Sequence, residues 1–295
     1  MPVKKGNSHY QFLAKKWTDR HRDLQSKIFT KHEESFKWFA DNSKQLVVGS
    51  LAGIMLLTTP VLDKIPQAFS SGSAQVAQTI DKKVFLIYDL RKVLPSDVRA
   101  LTPDEEKDVT TVLSRNFDFS IKAELEGKRL NTTYGIIGAE QHLARFPGDN
   151  MFTHFKNADD AQKYWSSGMA PGLGAWRYFT DASDALGVLT QEDIDREKYY
   201  IAVQTFLAPG FDSNTKEYTD FFKYRKMLVV NPQNGKAIVA DIADAGPSPW
   251  TGKQLGGSPE VMSYLERFDG AQKGAVLYFF IDDPNDTIPL GPVNL

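Results

Sequence analysis

The chain has no cysteine. That absence excludes disulfides, thiolate zinc sites, iron–sulfur clusters and thiol nucleophiles together. Histidine is scarce too: there are five in 295 residues, and only His142 and His154 lie beyond the first 32. Chemistry in the bulk of the chain must therefore rest on carboxylates and these two imidazoles. Charged residues make up 24% of the chain and apolar residues 41%, which excludes a disordered polyelectrolyte and allows a sizeable core. The sequence also lacks a Gly-x-Ser-x-Gly element, so a serine hydrolase is not expected. It has no glycine fingerprint for a dinucleotide or phosphate, so no cofactor is expected.

The formal net charge of −2 hides a division near residue 45. Residues 1–44 hold ten basic and five acidic groups, while the rest holds 25 basic and 32 acidic. Between them, Gln45 to Leu62 is an eighteen-residue run without charge, bracketed by Lys44 and Asp63. As a helix it is about 27 Å long, close to the roughly 30 Å of a bilayer core. The run shows no amphipathic stripe, and the charge asymmetry follows the positive-inside rule. These features predict a basic cytoplasmic tail over 1–44, a transmembrane helix over 45–62 and an exported remainder. A cleaved signal peptide is the alternative, since small residues follow at 68–74, but the leader is long for that class. The tail aromatics Phe12, Trp17, Phe29, Phe36, Trp38 and Phe39 suit a helix on the inner leaflet or a plain solvated one. The exported part is acidic and has no basic stripe interleaved with aromatics, so nucleic acid is not an expected partner.

Residues 63–82, rich in Ser, Gly and Gln, read as a linker. A small α+β segment is expected over 83–128. In it, Val84–Tyr88 reads as a buried strand, and Thr102-Pro103 with three following acids reads as a helix start. Residues 117–125 alternate with the period of a strand. Further strands are expected at 199–207, 226–230, 236–242 and 275–281, with short helices at 158–165, 191–197 and 259–267. The turn Asn231–Gly235 makes a hairpin of the middle two strands.

The run from Lys226 to Pro247 carries the most specific pattern. A strand leads into Asn231-Pro-Gln-Asn-Gly235, a second strand follows, and the run ends in Asp244-Ala-Gly-Pro247. Over about residues 197–282 this resembles the double-psi β-barrel of the rare lipoprotein A, expansin and lytic transglycosylase families. The resemblance implies a mainly β, mixed fold. Its main part is a six-stranded double-psi barrel over 129–284 with an insertion at 140–190, followed by a tail at 285–295. It also implies peptidoglycan, or another envelope glycan, as the partner. Two positions depart from the families. Gly256 stands where the lytic enzymes have an aspartate as general acid, and Gln204 or Thr205 stands where they have a histidine.

Asp244 ends a strand beside a Gly-Pro turn, so it is the candidate acid/base, with Glu260 as a weaker second. Asp241, three residues earlier, is expected on the opposite face. Trp250 and Lys253 are expected to border the groove, and Trp176 and Tyr178 to offer aromatic faces to sugar rings. Glu140, His142, Arg145 and Asp149 form a dense polar cluster. It reads as a substrate-binding edge or as a structural helix with Arg145 paired to an acid. The His142-to-Asp149 spacing also fits a zinc wall peptidase, a weaker alternative, and no metal is assigned. The sequence thus predicts a membrane-anchored envelope protein. It cleaves peptidoglycan glycan strands, or it binds them as a non-catalytic wall-binding or assembly module.

Overall fold

In a computed structural model of the chain, residues 73–180, 188–267 and 273–295 are described. The expected membrane span at 45–62 lies outside them. Among the described residues no helix is long and apolar enough to cross a membrane.

Six strands close into a mixed barrel. They are β4 (Tyr134–Ala139), β5 (Tyr200–Val203), β6 (Lys226–Val230), β7 (Ala237–Ala245), β8 (Leu255–Gly257) and β9 (Lys273–Ile281). Around the ring, β4 pairs with β9, β9 with β6 and β6 with β7, all antiparallel. The ring continues through a parallel β7–β5 pair and an antiparallel β5–β8 pair, and a parallel β8–β4 pair closes it. Two short strands, β1 (Ile121–Lys122) and β10 (Gly291–Val293), extend the sheet beside β9 and β7. The remaining two, β2 (Glu124–Leu125) and β3 (Lys128–Arg129), form a separate small hairpin.

Strand alternation builds two cores from the same strands. Met227, Val229, Ile238, Ala240, Ile242, Val276, Tyr278 and Phe280 fill the barrel. Their alternates Leu228, Val230, Ala237, Val239, Leu277, Phe279 and Ile281 face outward into a second core. That second core is covered by α1 (Ser73–Val93) and α2 (Pro103–Phe117), through Leu86, Leu90, Val109, Val112 and Leu113. Both faces of β6, β7 and β9 are therefore buried, which is why these strands read as continuous apolar runs. Helix α2 starts as expected. Thr102 caps it, with Glu105 reaching back to the Thr102 N–H at 2.8 Å.

Two expectations for this region fail. Val84–Tyr88 is not a strand but part of α1, and residues 73–82 of the expected linker begin that helix. Leu86 and Leu90 are four apart and point into one core while Phe85 and Tyr88 stay exposed, which is helical spacing. The alternating run at 117–125 is split: Phe117 ends α2, Asp118 takes a left-handed cap at φ 60°, and only β1 and β2 are strand.

Between β4 and β5 the insertion holds α3 (Met151–His154) and α4 (Ala158–Tyr164), and α5 (Gln191–Lys198) leads into β5. Helix α6 (Thr215–Phe222), not foreseen from the sequence, plugs Phe221 and Phe222 against the barrel core. Helix α7 (Pro259–Tyr264) follows β8.

Leu90→Ala removes a fully buried side chain of α1 and costs about 2–5 kcal/mol. Phe85→Ala, on a residue 62% exposed, changes stability by less than about 0.5 kcal/mol. Urea unfolding of the two variants checks this, and equal effects would place α1 off the barrel.

Candidate functional site

β5 and β7 end, and β8 begins, at one mouth of the barrel. There Gly138, Gly256, Ala202 and Asp244 stand in one row on the outer face of the wall, alternate to the core residues Ile137, Leu255, Ile201 and Val203. The parallel pairing of β4 with β8 continues one step past β4, where the Glu140 N–H donates to the Gly257 carbonyl at 2.9 Å. Glu140 thereby lies over Gly256. A side-chain carbon built at Gly256 would stand 2.5 Å from the Glu140 carboxyl carbon. Glu140 fills the volume that a side chain at Gly256 would take. Gly138, the pairing partner of Gly256, is covered in the same way: a carbon there would stand 2.7 Å from Lys253 Nζ. Lys253 Nζ is 3.9 Å from Glu140 Oε1.

Asp244 approaches the mouth from β7. A register shift between Ile201 and Ala202 leaves Ala243 without a partner on β5, a bulge of the kind that re-aims a strand end. One Asp244 oxygen accepts the N–H groups of Ala175 and Ala245, both at 2.8 Å. Burial raises the Asp244 carboxyl above its ordinary value, and these two N–H groups oppose the rise. Burial raises Glu140 as well, Lys253 opposes it, and the neighbouring Asp244 charge adds to it. Burial thus raises both carboxyls, the Asp244 charge adds to the rise at Glu140, and Lys253 stands beside Glu140.

The surrounding residues frame this pair. Gln204, at the position expected to bear a histidine in the resembling families, donates to the carbonyls of Pro247 at 2.9 Å and Lys253 at 3.1 Å. It is therefore a strut for the 247–253 loop. Trp250 projects from that loop, 86% exposed. Trp176 is half-buried and donates its indole N–H to the Ile242 carbonyl at 2.9 Å, packing on the barrel core. It anchors the loop whose Ala175 N–H holds Asp244, more than it presents a ring to solvent. Tyr178 is half-buried.

The other polar residues singled out in the sequence sit inside. His142, Arg145 and Asp149 do not line the mouth but join a buried network with His154 and Glu197. Glu197 Oε1 is 3.3 Å from His142 Nδ1 and accepts the Leu143 N–H at 3.0 Å; Oε2 is 3.1 Å from His154 Nε2. Asp149 Oδ2 faces His154 Nδ1 at 3.0 Å and accepts from Arg145 N and Nε. Arg145 also donates to the His154 carbonyl. The expected Arg145–acid pairing is present, though on a loop and not on a helix. Among the described residues, His142, His154 and Glu197 form the group whose ligating atoms all lie within 4.8 Å of one another. Glu197 and His154 carried no sequence signal beyond residue type, because Glu197 sits in the polar helix α5.

Glu260 is likewise inside, in the first turn of α7, with Oε2 unpartnered. Burial and the like charge of Glu197 push its carboxyl up to about 8. Asp241 is fully buried, and burial raises it well above the ordinary range. The bulge at Ala243 puts it on the same face as Asp244 and not on the opposite one, since the two pair with Tyr200 and Ala202 of β5. An open groove between α2 and β1–β3 lies elsewhere and contains none of these residues; its Glu106 is already bound to Arg129 and Thr133.

The network sets the pH response. Glu197 and Asp149 are held down to about 2 against burial by their bonds to histidine and, for Asp149, to Arg145. Their contribution is complete above about pH 4 and is lost as pH falls towards 2. His154 is raised to about 9, against burial, by its bonds to Asp149 and Glu197, so its contribution is complete below about pH 6.5 and is lost as pH rises through 9. Glu260 acts in the same sense above pH 4.5, since the folded chain keeps a proton that the unfolded chain releases. Stability in a chelating buffer therefore falls steadily from pH 5 to pH 9, and Glu260→Gln flattens the decline. A wild-type stability that rises over this range in urea titrations would refute the assignment. At pH 6, Glu197→Gln costs about 3–5 kcal/mol by leaving a buried cation unbalanced. Glu192→Gln, in an exposed pair with Arg196, costs less than about 1 kcal/mol.

Compared with protein-family models, curated proteins and solved structures, the chain matches none of them.

Proposed function

We propose that the closed mixed barrel is a double-psi β-barrel and that its mouth cleaves the glycan strands of peptidoglycan. In this reading the chain is held at the membrane through residues 45–62, with the barrel outside the cell. The observation that carries the reading is the Glu140 carboxyl lying over Gly256. The families that the sequence resembles use an aspartate at that position. Here a carboxyl occupies the space of the missing side chain, supplied from the neighbouring strand.

The chemistry needs a proton for the leaving oxygen and a base for the incoming hydroxyl. Glu140, raised by burial and by the Asp244 charge, gives its proton to the glycosidic oxygen as the bond to the anomeric carbon breaks. Asp244 has two N–H bonds that favour its charged form. It takes the proton of the hydroxyl that closes on that carbon, whether from water or from the same sugar. Lys253 balances Glu140 once the proton has left. Trp250 offers an exposed face for a sugar ring.

The test uses the full-length chain, purified in mild detergent, incubated with sacculi. Soluble muropeptides are expected, and Glu140→Gln lowers their release by about 10²- to 10⁴-fold while co-sedimentation persists. Asp244→Asn lowers release by a similar factor, and Trp250→Ala weakens co-sedimentation. Wild-type co-sedimentation without release would overturn the cleavage reading and leave a wall-binding module. Full activity of Glu140→Gln would overturn the residue assignment.

A further inference from the structure

We propose that His142, His154 and Glu197 form a buried binding site for one divalent metal ion of zinc-like chemistry, with a structural role. The set is different from the His142-to-Asp149 spacing read in the sequence, and so is the role. The inference does not depend on what the barrel mouth does.

The donor types come first. Two imidazoles and a carboxylate, without thiolate, suit zinc and its neighbours among the first-row divalent ions. The geometry agrees. An ion bound at about 2.0–2.2 Å to nitrogen and oxygen ligands requires those ligands to stand roughly 3–3.6 Å apart. His142 Nδ1 stands 3.3 Å from one Glu197 oxygen, and His154 Nε2 stands 3.1 Å from the other. All three ligating atoms lie within 4.8 Å of one another, so a small inward shift completes the set.

The supporting shell points the same way. His154 turns its second nitrogen, Nδ1, to Asp149 Oδ2 at 3.0 Å. Asp149 is itself fixed by Arg145 N and Nε at 3.0 and 3.2 Å. A carboxylate behind the imidazole is the arrangement that orients a metal-bound histidine and strengthens it as a ligand. His142 is fully buried, so an ion at its Nδ1 is shielded from solvent. The rings of Phe155 and Tyr164 stand edge-on to His142, at 5.2 and 6.4 Å, and wall the site with carbon. Full burial denies a substrate access to the ion, so the set serves folding and not turnover.

The ion takes the place of the proton between His154 Nε2 and Glu197, which leaves to solvent. His142 and His154 both belong to the insertion and Glu197 belongs to α5, so the ion ties the insertion to the helix that feeds β5.

The full-length chain, stripped with a chelator and dialysed, is titrated with Zn²⁺ by calorimetry and with Co²⁺ by visible absorption. One ion per chain is expected, with Co²⁺ bands of four- or five-coordinate geometry and a melting temperature several degrees higher at saturating Zn²⁺. His142→Gln lowers affinity by at least about tenfold. A variant with His9, His21 and His32 all changed to Gln binds as the wild type does, which separates the site from the histidines of the N-terminal segment. The Co²⁺ spectrum of the wild type and the tail variant decide the matter even if His142→Gln fails to fold. Less than about one tenth of an equivalent bound by the wild type, six-coordinate Co²⁺ bands, or binding abolished in the tail variant, overturns the proposal.

Discussion

The parallel pairing of β4 with β8 is the constraint on which the rest of the molecule turns. Without it the sheet has two open edges; with it the six strands close and no barrel strand is left with an unpaired side. The two strands approach across glycines, Gly138 against Gly256, and Ala139 against Gly257. At the Gly138–Gly256 pair neither strand carries a Cβ atom. The space is filled instead by the long side chains of Glu140 and Lys253, which lie across the glycines that make room for them. One structural need, closing the ring at small residues, thus creates a half-buried carboxyl and a half-buried amine at the rim.

A second consequence follows from the double burial of β6, β7 and β9. Their outward faces are taken by α1 and α2, so those faces are closed to ligand. The wall of β4, β8, β5 and β7 is where Asp244, Glu140 and Lys253 come together. Loop 170–179 completes it, because Trp176 is pinned to β7 and its neighbour Ala175 binds Asp244. The aromatic residue read as a sugar platform turns out to be the fastener that sets the carboxylate.

The barrel was legible in the sequence because its strands are bounded by turns with specific chemistry. Asn231 accepts the Gln233 N–H, and Gly235 takes φ +70°, as the Asn-to-Gly turn implies. The start of α2 was legible because Thr102, Pro103 and Glu105 are a complete capping sequence. Val84–Tyr88 misled because five apolar-rich residues satisfy strand and helix equally, and only the packing of Leu86 and Leu90 decides. The relation of Glu140 to Gly256 was not legible, since a parallel pairing joins segments far apart in the chain and leaves no local pattern. Gly256 read as the loss of a carboxyl; the structure places another carboxyl in the same volume. His142, Arg145 and Asp149 were visible as a polar cluster, but residue type alone does not tell a rim from an interior.

The buried network and the mouth are not independent. Tyr200, fully buried on β5, lies within the field of Glu140 and Asp244 and also of Glu197 and Glu260. Its hydroxyl donates to the carbonyl of Gln141, the residue between Glu140 and His142. The chain after β4 is therefore held at three successive points: Glu140 by β8, Gln141 by Tyr200, and His142 with Leu143 by Glu197. Burying five ionisable side chains carries a large desolvation cost, and apolar packing would serve stability at least as well. What apolar packing cannot supply is direction. Hydrogen bonds of fixed geometry set the course of the backbone immediately beyond Glu140, and so set where its carboxyl rests over Gly256. On this argument the network's return is positional: it holds one rim carboxyl in place against the barrel that carries the other.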